Sequence, residues 1–253
     1  MTHIAFSFCF GTIFGSFLNA VIYRLPNGIG LFLPRSFCPS CKKKILWYEN
    51  IPLLSFFLLR GRCSNCKFSI PKSYPLVETL SGLVAIILWP KVFSFQKILD
   101  FSFYFSIYCV FLSHFLIDIK HKILPNALNL YLAIIFFTFS LVFKSWNHWL
   151  YGMLIGALFP LSVTWLFYLA KKKEGLGMGD IKLFGILGIY LGPMGIIHNI
   201  FLSCLTGSIF GFMLILLKKL KKESEMPFGP FIILVATFQI FFPDFFNKFL
   251  KIF

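Results

Sequence analysis

Acidic residues are scarce in this chain. Nine Asp and Glu stand against 24 Lys and Arg, and charged residues make up 13% of 253. With so little charge and 58% hydrophobic residues, one soluble domain of this length cannot bury the apolar surface, and a polytopic membrane protein is expected. Arginine is rarer still, at 4 against 20 Lys beside 36 Phe. That balance reads as a compositional bias of the genome, not an aromatic code. No glycine-rich nucleotide fingerprint occurs in a βαβ setting, and the five His are scattered without metal-ligand spacing. Residues 1–3 lack Lys and Arg, and no small-residue cleavage site follows the first apolar run, which is therefore read as a retained anchor. The net charge of +15 is assigned to basic cytoplasmic loops facing anionic lipid, so no nucleic-acid partner is expected.

What is present is a series of apolar runs. A span needs about 20 apolar residues, and eight are expected, at about 4–23, 74–90, 98–119, 126–143, 148–170, 180–197, 199–217 and 228–246. A short turn near His198-Asn199 separates the sixth from the seventh, and Gly192-Pro193 interrupts the sixth. With the N-terminus outside, 19 basic residues fall in 24–73, 120–122, 171–182 and 218–222. Only Lys91, Lys97, Lys144, Lys248 and Lys251 fall on the other side. That asymmetry puts the first group in the cytoplasm and both termini outside. The expected fold is all-α, with about eight transmembrane helices and a small cytoplasmic insertion. Its divisions are a first transmembrane helix at 1–23, a zinc-binding domain at 24–73 and a seven-helix catalytic membrane domain at 74–253.

The insertion carries CPSC at 38–41 and CSNC at 63–66. Two CxxC pairs at this distance fit a tetrahedral zinc ion held by Cys38, Cys41, Cys63 and Cys66, with no open position for chemistry. Two disulfides or a redox CxxC are the other readings, and a cytoplasmic location argues against stable disulfides. Cys9, Cys109 and Cys204 lie in spans and read as packing residues.

Of the nine carboxylates, Glu49 lies in the insertion, Glu174, Glu223 and Glu225 in cytoplasmic loops, and Asp100 and Asp244 near the outer face. Glu78 falls one turn inside the second span. Asp118, in FLIDIKHKILPN, and Asp180, in GLGMGDIKLFG, each sit at the cytoplasmic end of a span. A carboxylate at a membrane boundary is costly and marks a candidate functional site. Asp180 follows Gly175, Gly177 and Gly179, which allow a close backbone approach, and it reads as the cap of a helix. A purely structural reading leaves Asp180 as that cap and pairs Asp118 with Lys120, His121 or Lys122. Together the two suit water-mediated peptide hydrolysis: paired carboxylates share a proton, so one activates water while the other protonates the carbonyl oxygen. The rival class is a proton- or cation-coupled transporter, which should place its charges nearer the midplane and often shows internal repeats. A membrane-anchored zinc module that only binds partners would leave Asp118 and GMGD unexplained.

GMGD at 177–180 resembles the GxGD motif of intramembrane aspartic proteases, and the chain as a whole resembles the type IV prepilin peptidases. The stretches that carry this are FGSFLNAVIYRLP (14–26), the cysteine knuckles with NIPLLSFFLLRGRC (50–63), YPLVE (74–78), IDIKHKILPN (117–126), GMGDIKLFGILG (177–188) and PFGP (227–230). The resemblance implies an enzyme of the bacterial inner membrane that removes the basic leader of prepilins or pseudopilins at the cytoplasmic face. In many members the new N-terminus is then methylated with S-adenosylmethionine. It also implies that Asp118 and Asp180 are the catalytic aspartates and that the four knuckle cysteines are zinc ligands. Where many relatives have LPD, this chain has Leu124-Pro125-Asn126. Gly11 and Gly15, Gly152 and Gly156, and Gly207 and Gly211 form small-xxx-small pairs that suit close helix contacts. Lys182 reads as a lipid-interface anchor pointing away from Asp180. Glu78 reads either as a snorkelling interfacial residue or as lining a path to the dyad or a methyl site.

Overall fold

The computed structural model describes residues 2–31, 33, 35–173, 175–218 and 226–250. Glu174, Lys219, Lys221, Lys222, Glu223, Glu225 and Lys251 lie outside the described residues. The chain forms two compact units, Met1–Cys109 and Val110–Phe253. Five helices are long and apolar enough to cross a membrane, and the protein is a membrane protein.

In the first unit, α1 (Thr2–Arg24) packs along α3 (Ser73–Leu88), with a short α2 (Leu54–Leu58) in the connection between them. Gly11 and Gly15 let the α1 and α3 backbones touch: a Cβ on Gly15 would lie 2.7 Å from the Glu78 Cα. The first half of α4 (Phe95–His121) closes this unit, with Phe101 and Phe105 packed on Ala85 and Phe10.

In the second unit, the end of α4 is set by chain chemistry. The residue before a proline is pushed out of the helical region, and here Lys122 turns left-handed (φ 54°) ahead of Leu124-Pro125. Asn126 then opens α5 (Asn126–Phe143), followed by α6 (Trp146–Lys171) and α7 (Met178–Leu216). At 1.5 Å per residue the 39 residues of α7 measure about 58 Å, twice the hydrocarbon core. The element is broken at Gly192 (φ 71°, ψ −177°), a conformation open to glycine, and Pro193 follows. A Cβ on Gly156 of α6 would meet the Phe184 carbonyl and stand 3.0 Å from Ile196 Cγ1, so both halves of α7 pack on α6. This corrects the expected break between the apolar runs 180–197 and 199–217: the helix is interrupted at Gly192, and His198-Asn199 lies within its second half. Asn199 is instead buried inside the second half, where its amide donates to Gln239 Oε1 (2.7 Å) of α8 (Gly229–Phe241). The single run expected at 228–246 is also corrected. Its helix α8 ends at Phe241, and Pro243, which has no N–H to continue the ladder, opens a separate α9 (Pro243–Leu250).

Candidate active site and metal centre

Asp118 lies in the last turn of α4 and is buried. Asp180 is the third residue of α7. The helix cap is Gly177, which corrects the reading of Asp180 as cap. The carboxylate turns back over that cap, and a Cβ on Gly177 would lie 3.1 Å from Asp180 Oδ2. The two aspartates are near enough for the charge of Asp118 to act on Asp180.

Leu124 and Gly229 join them. A Cβ on Gly229 would stand 2.7 Å from Asp118 Oδ2 and 3.2 Å from Leu124 Cδ2, while one on Gly179 would stand 3.2 Å from Leu124 Cβ. The starts of α7 and α8 thus converge on the end of α4 through backbone that carries no side chain. Lys182 does not reach for lipid: its Nζ donates to Asn126 Oδ1 (3.0 Å), stapling the start of α7 to the start of α5.

Sequence reasoning missed His114 and Asn129. Both are buried, and their polar atoms and Asp118 Oδ2 are short of hydrogen-bond partners. His114 precedes Asp118 by four residues, a spacing that puts two side chains on one helix face, and this was the available signal. Gly229 was visible only as part of PFGP.

The cysteines are brought together in the first unit. Two hairpins, each closed by an isolated bridge (Phe37 with Lys44, Arg62 with Ser69), repeat one hydrogen-bond pattern. Cys38 N–H donates to the Lys43 carbonyl (2.9 Å) and Ile45 N–H to that of Ser36 (2.8 Å). Twenty-five positions on, Cys63 N–H donates to Phe68 (2.9 Å) and Ile70 N–H to Gly61 (2.8 Å). The four Sγ atoms lie within 4.8 Å of one another, with Cys38 and Cys66 3.8 Å apart. Four sulfurs about 2.3 Å from a tetrahedral zinc are spaced about 3.8 Å from each other, so the cluster fits that ion and is too open for a Cys38–Cys66 disulfide. Backbone N–H groups favour the metal-binding thiolate form. That of Lys43 brings Cys41 down to about 6, and those of Cys66 and Asn65 lower Cys63. Burial raises Cys38 to about 11. Lys43 links the two knuckles, donating to Ser64 Oγ (2.8 Å) and to Glu49 Oε1 (3.2 Å). The Leu46 N–H, with help from Ser64 and Lys43, holds Glu49 below the ordinary carboxylate range.

These two centres coincide with two family matches. Residues 9–92 match the bacterial peptidase A24 N-terminal domain, and residues 103–212 match the type IV leader peptidase family. The prepilin leader peptidase/N-methyltransferase of Stutzerimonas stutzeri is 35% identical, with 95% of this chain and 92% of the relative covered. The chain belongs to the type IV leader peptidase family. The proteins of the same description from Pseudomonas aeruginosa (34% identical; 95% and 92% covered) and Legionella pneumophila (31%; 93% and 90%) are also similar. No solved structure matches the chain. As a member of this family the chain is a peptidase, which favours the hydrolase reading of Asp118 and Asp180 over the transporter. The leader peptidase match contains both aspartates, and the N-terminal match contains all four knuckle cysteines.

For this peptidase, Gly229→Ala is expected to lower activity about 10- to 100-fold with membrane insertion intact. The new methyl group must displace the Asp118 carboxylate, and the size of the effect follows from the catalytic role proposed for Asp118 below, since small misplacements of a catalytic group cost rates of that order. Titrating activity of the purified variant checks this, and wild-type rates would show that Gly229 does not constrain Asp118.

Proposed function

We propose that this peptidase removes the leader of type IV prepilins or pseudopilins at the cytoplasmic face of the inner membrane and N-methylates the new N-terminus. Asp118 and Asp180 serve as the catalytic pair, and residues 24–73 form a structural zinc domain that faces the cytoplasm with them. The observation that carries this reading is the convergence of the two helix ends that bear Asp118 and Asp180, packed together through Leu124 and the backbone of Gly179 and Gly229. One aspartate, as carboxylate, takes a proton from water as the oxygen attacks the scissile carbonyl. The other, as the acid, gives its proton to the carbonyl oxygen. The bond then breaks as a proton passes to the leaving amine. Each proton transfer of this kind contributes about 10²- to 10⁴-fold.

A substrate with an apolar helix suits the surroundings. An apolar cavity of about 330 Å³ lies among Phe167, Leu176, Phe184 and Phe228; Leu176 and Phe228 adjoin Gly177 and Gly229 in sequence, and Phe184 lies one helical turn after Asp180. The peptide itself must be extended at the cut, since a helical peptide bond is screened by its own hydrogen bonds.

Co-expression with a prepilin, followed by mass measurement of the mature N-terminus, is expected to show loss of the leader and a gain of one methyl group. An intact precursor overturns the peptidase assignment for that substrate, and a cleaved but unmethylated product overturns the methylation. Orientation has its own test. A cysteine at Lys173, in a background that keeps the zinc thiols, is expected to be labelled from the cytoplasm only. Labelling from the periplasm would put Asp180 in the wrong compartment for an uncleaved leader.

A further inference from the structure

Three of the stretches that carry the family resemblance belong to neither centre: FGSFLNAVIYRLP, the start of NIPLLSFFLLRGRC, and YPLVE. The structure gathers them on one cavity of about 800 Å³, lined wholly by residues between Ile13 and Glu78. This is within the range of about 300–1,000 Å³ usual for small-molecule sites.

Two charged side chains in its wall are almost wholly removed from solvent, Arg24 at 5% and Glu78 at 7% exposure. Neither has an ion-pair partner among the described residues, and they do not pair with each other. The Arg24 guanidinium donates to the carbonyls of Gly30 (3.1 Å) and Leu31 (2.7 Å). Glu78 Oε2 accepts the Leu53 N–H (2.8 Å). Leu53 has φ 60° and ψ −52°, and the Leu54 N–H bonds back to the Pro52 carbonyl (2.6 Å). This is a γ-turn of the rare, strained kind, and such strain persists only where the surroundings hold it and often marks a ligand site. A buried carboxyl group and a buried guanidinium that do not pair with each other suit a ligand that carries both charges and supplies each with its partner. Tyr23 and Tyr74 add aromatic faces to the same wall.

Resting on the methylation proposed above, we infer that this cavity binds the methyl donor, S-adenosylmethionine. Glu78 would face its cationic end and Arg24 its carboxylate, with the tyrosines offering stacking surface to the base. The donor's sulfonium group supplies an activated methyl. In the transfer, the lone pair of the neutral N-terminal amine forms the new N–C bond while the C–S bond breaks with its pair going to sulfur. The products are an N-methylammonium, which keeps the positive charge, and the neutral thioether S-adenosylhomocysteine. The proton that freed the amine leaves to solvent beforehand.

The test is equilibrium binding of S-adenosylhomocysteine to the full-length, zinc-loaded protein in nanodiscs, with cleavage and methylation of a prepilin measured alongside. Glu78→Gln keeps an acceptor for the Leu53 N–H and removes the charge. Ala20→Phe fills the cavity from α1, one turn before Arg24, and leaves both charged side chains in place. Both variants are expected to weaken binding at least about tenfold and to suppress methylation, with leader cleavage at the wild-type rate as the measure of an intact fold. If wild type methylates and both variants bind and methylate as it does, the donor sits elsewhere, and this assignment falls while the methyltransferase reading stands. If wild type cleaves but neither binds the probe nor methylates, both fall.

Discussion

Asp118→Asn and Asp180→Asn are each expected to lower leader cleavage by about 10³-fold or more, with membrane insertion unchanged. The amide has nearly the shape of the carboxylate, so the packing of Asp118 on Gly229 and of Asp180 on Gly177 survives. What it loses is the ability to take or give a proton, on which the attack of water and the collapse of the tetrahedral intermediate both depend. Because the pair acts as a unit, the double variant should be little worse than either single one. Asp100→Asn and Asp244→Asn, at exposed positions, serve as controls and should cleave normally. The measurement is single-turnover cleavage of a purified prepilin, read by mass. Full processing by either dyad variant would remove that residue from the chemistry.

How much of this was legible in sequence depends on how local each feature is. Ligand spacing is local, and CPSC and CSNC each fold into a knuckle from neighbouring residues, so the cysteine cluster could be read directly. The apolar runs were equally plain, because span length follows from composition. The break in α7 was not. Asn199 looks like a turn residue, but it is buried and bonded to Gln239, while the left-handed backbone falls at Gly192, against the His148 ring. Which of two candidate breaks is used depends on what α6 and α8 present, and that is a tertiary fact. The aspartates were identifiable by type and position but not by partner. Nothing in the sequence says that Gly229 lies on Asp118, or that Lys182 reaches Asn126 and not the lipid headgroups. Family motifs pointed to the cavity between α1 and α3 without saying what it is for, because Arg24 and Glu78 acquire meaning only when both are seen buried on one wall.

Loss of zinc is expected to unfold residues 24–73 and to leave the membrane helices standing. Among the described residues from 25 to 73, Cys38 alone is buried. Apart from turns and bridges, this stretch holds only a 3₁₀ turn at Trp47–Asn50 and the five-residue α2. A segment with so little core has no hydrophobic term to set against its chain entropy. Zinc binding at sites of this kind is worth about 10–16 kcal/mol near neutral pH, and where no site exists in the unfolded chain that binding energy is folding energy. Purified protein should therefore carry about one zinc per chain. Chelation, or Cys38→Ser, should open the basic stretch at Lys42–Lys44 and the Arg60 and Arg62 positions to trypsin many times faster than in the loaded protein. The tryptic sites inside the long helices, Lys97 of α4 and Lys182 of α7, should stay protected, which separates local unfolding from general collapse. Protein purified without chelators and free of zinc would reject the metal assignment. A Cys38→Ser variant that resists trypsin as well as wild type would show that the segment is held by contacts other than the four thiolates.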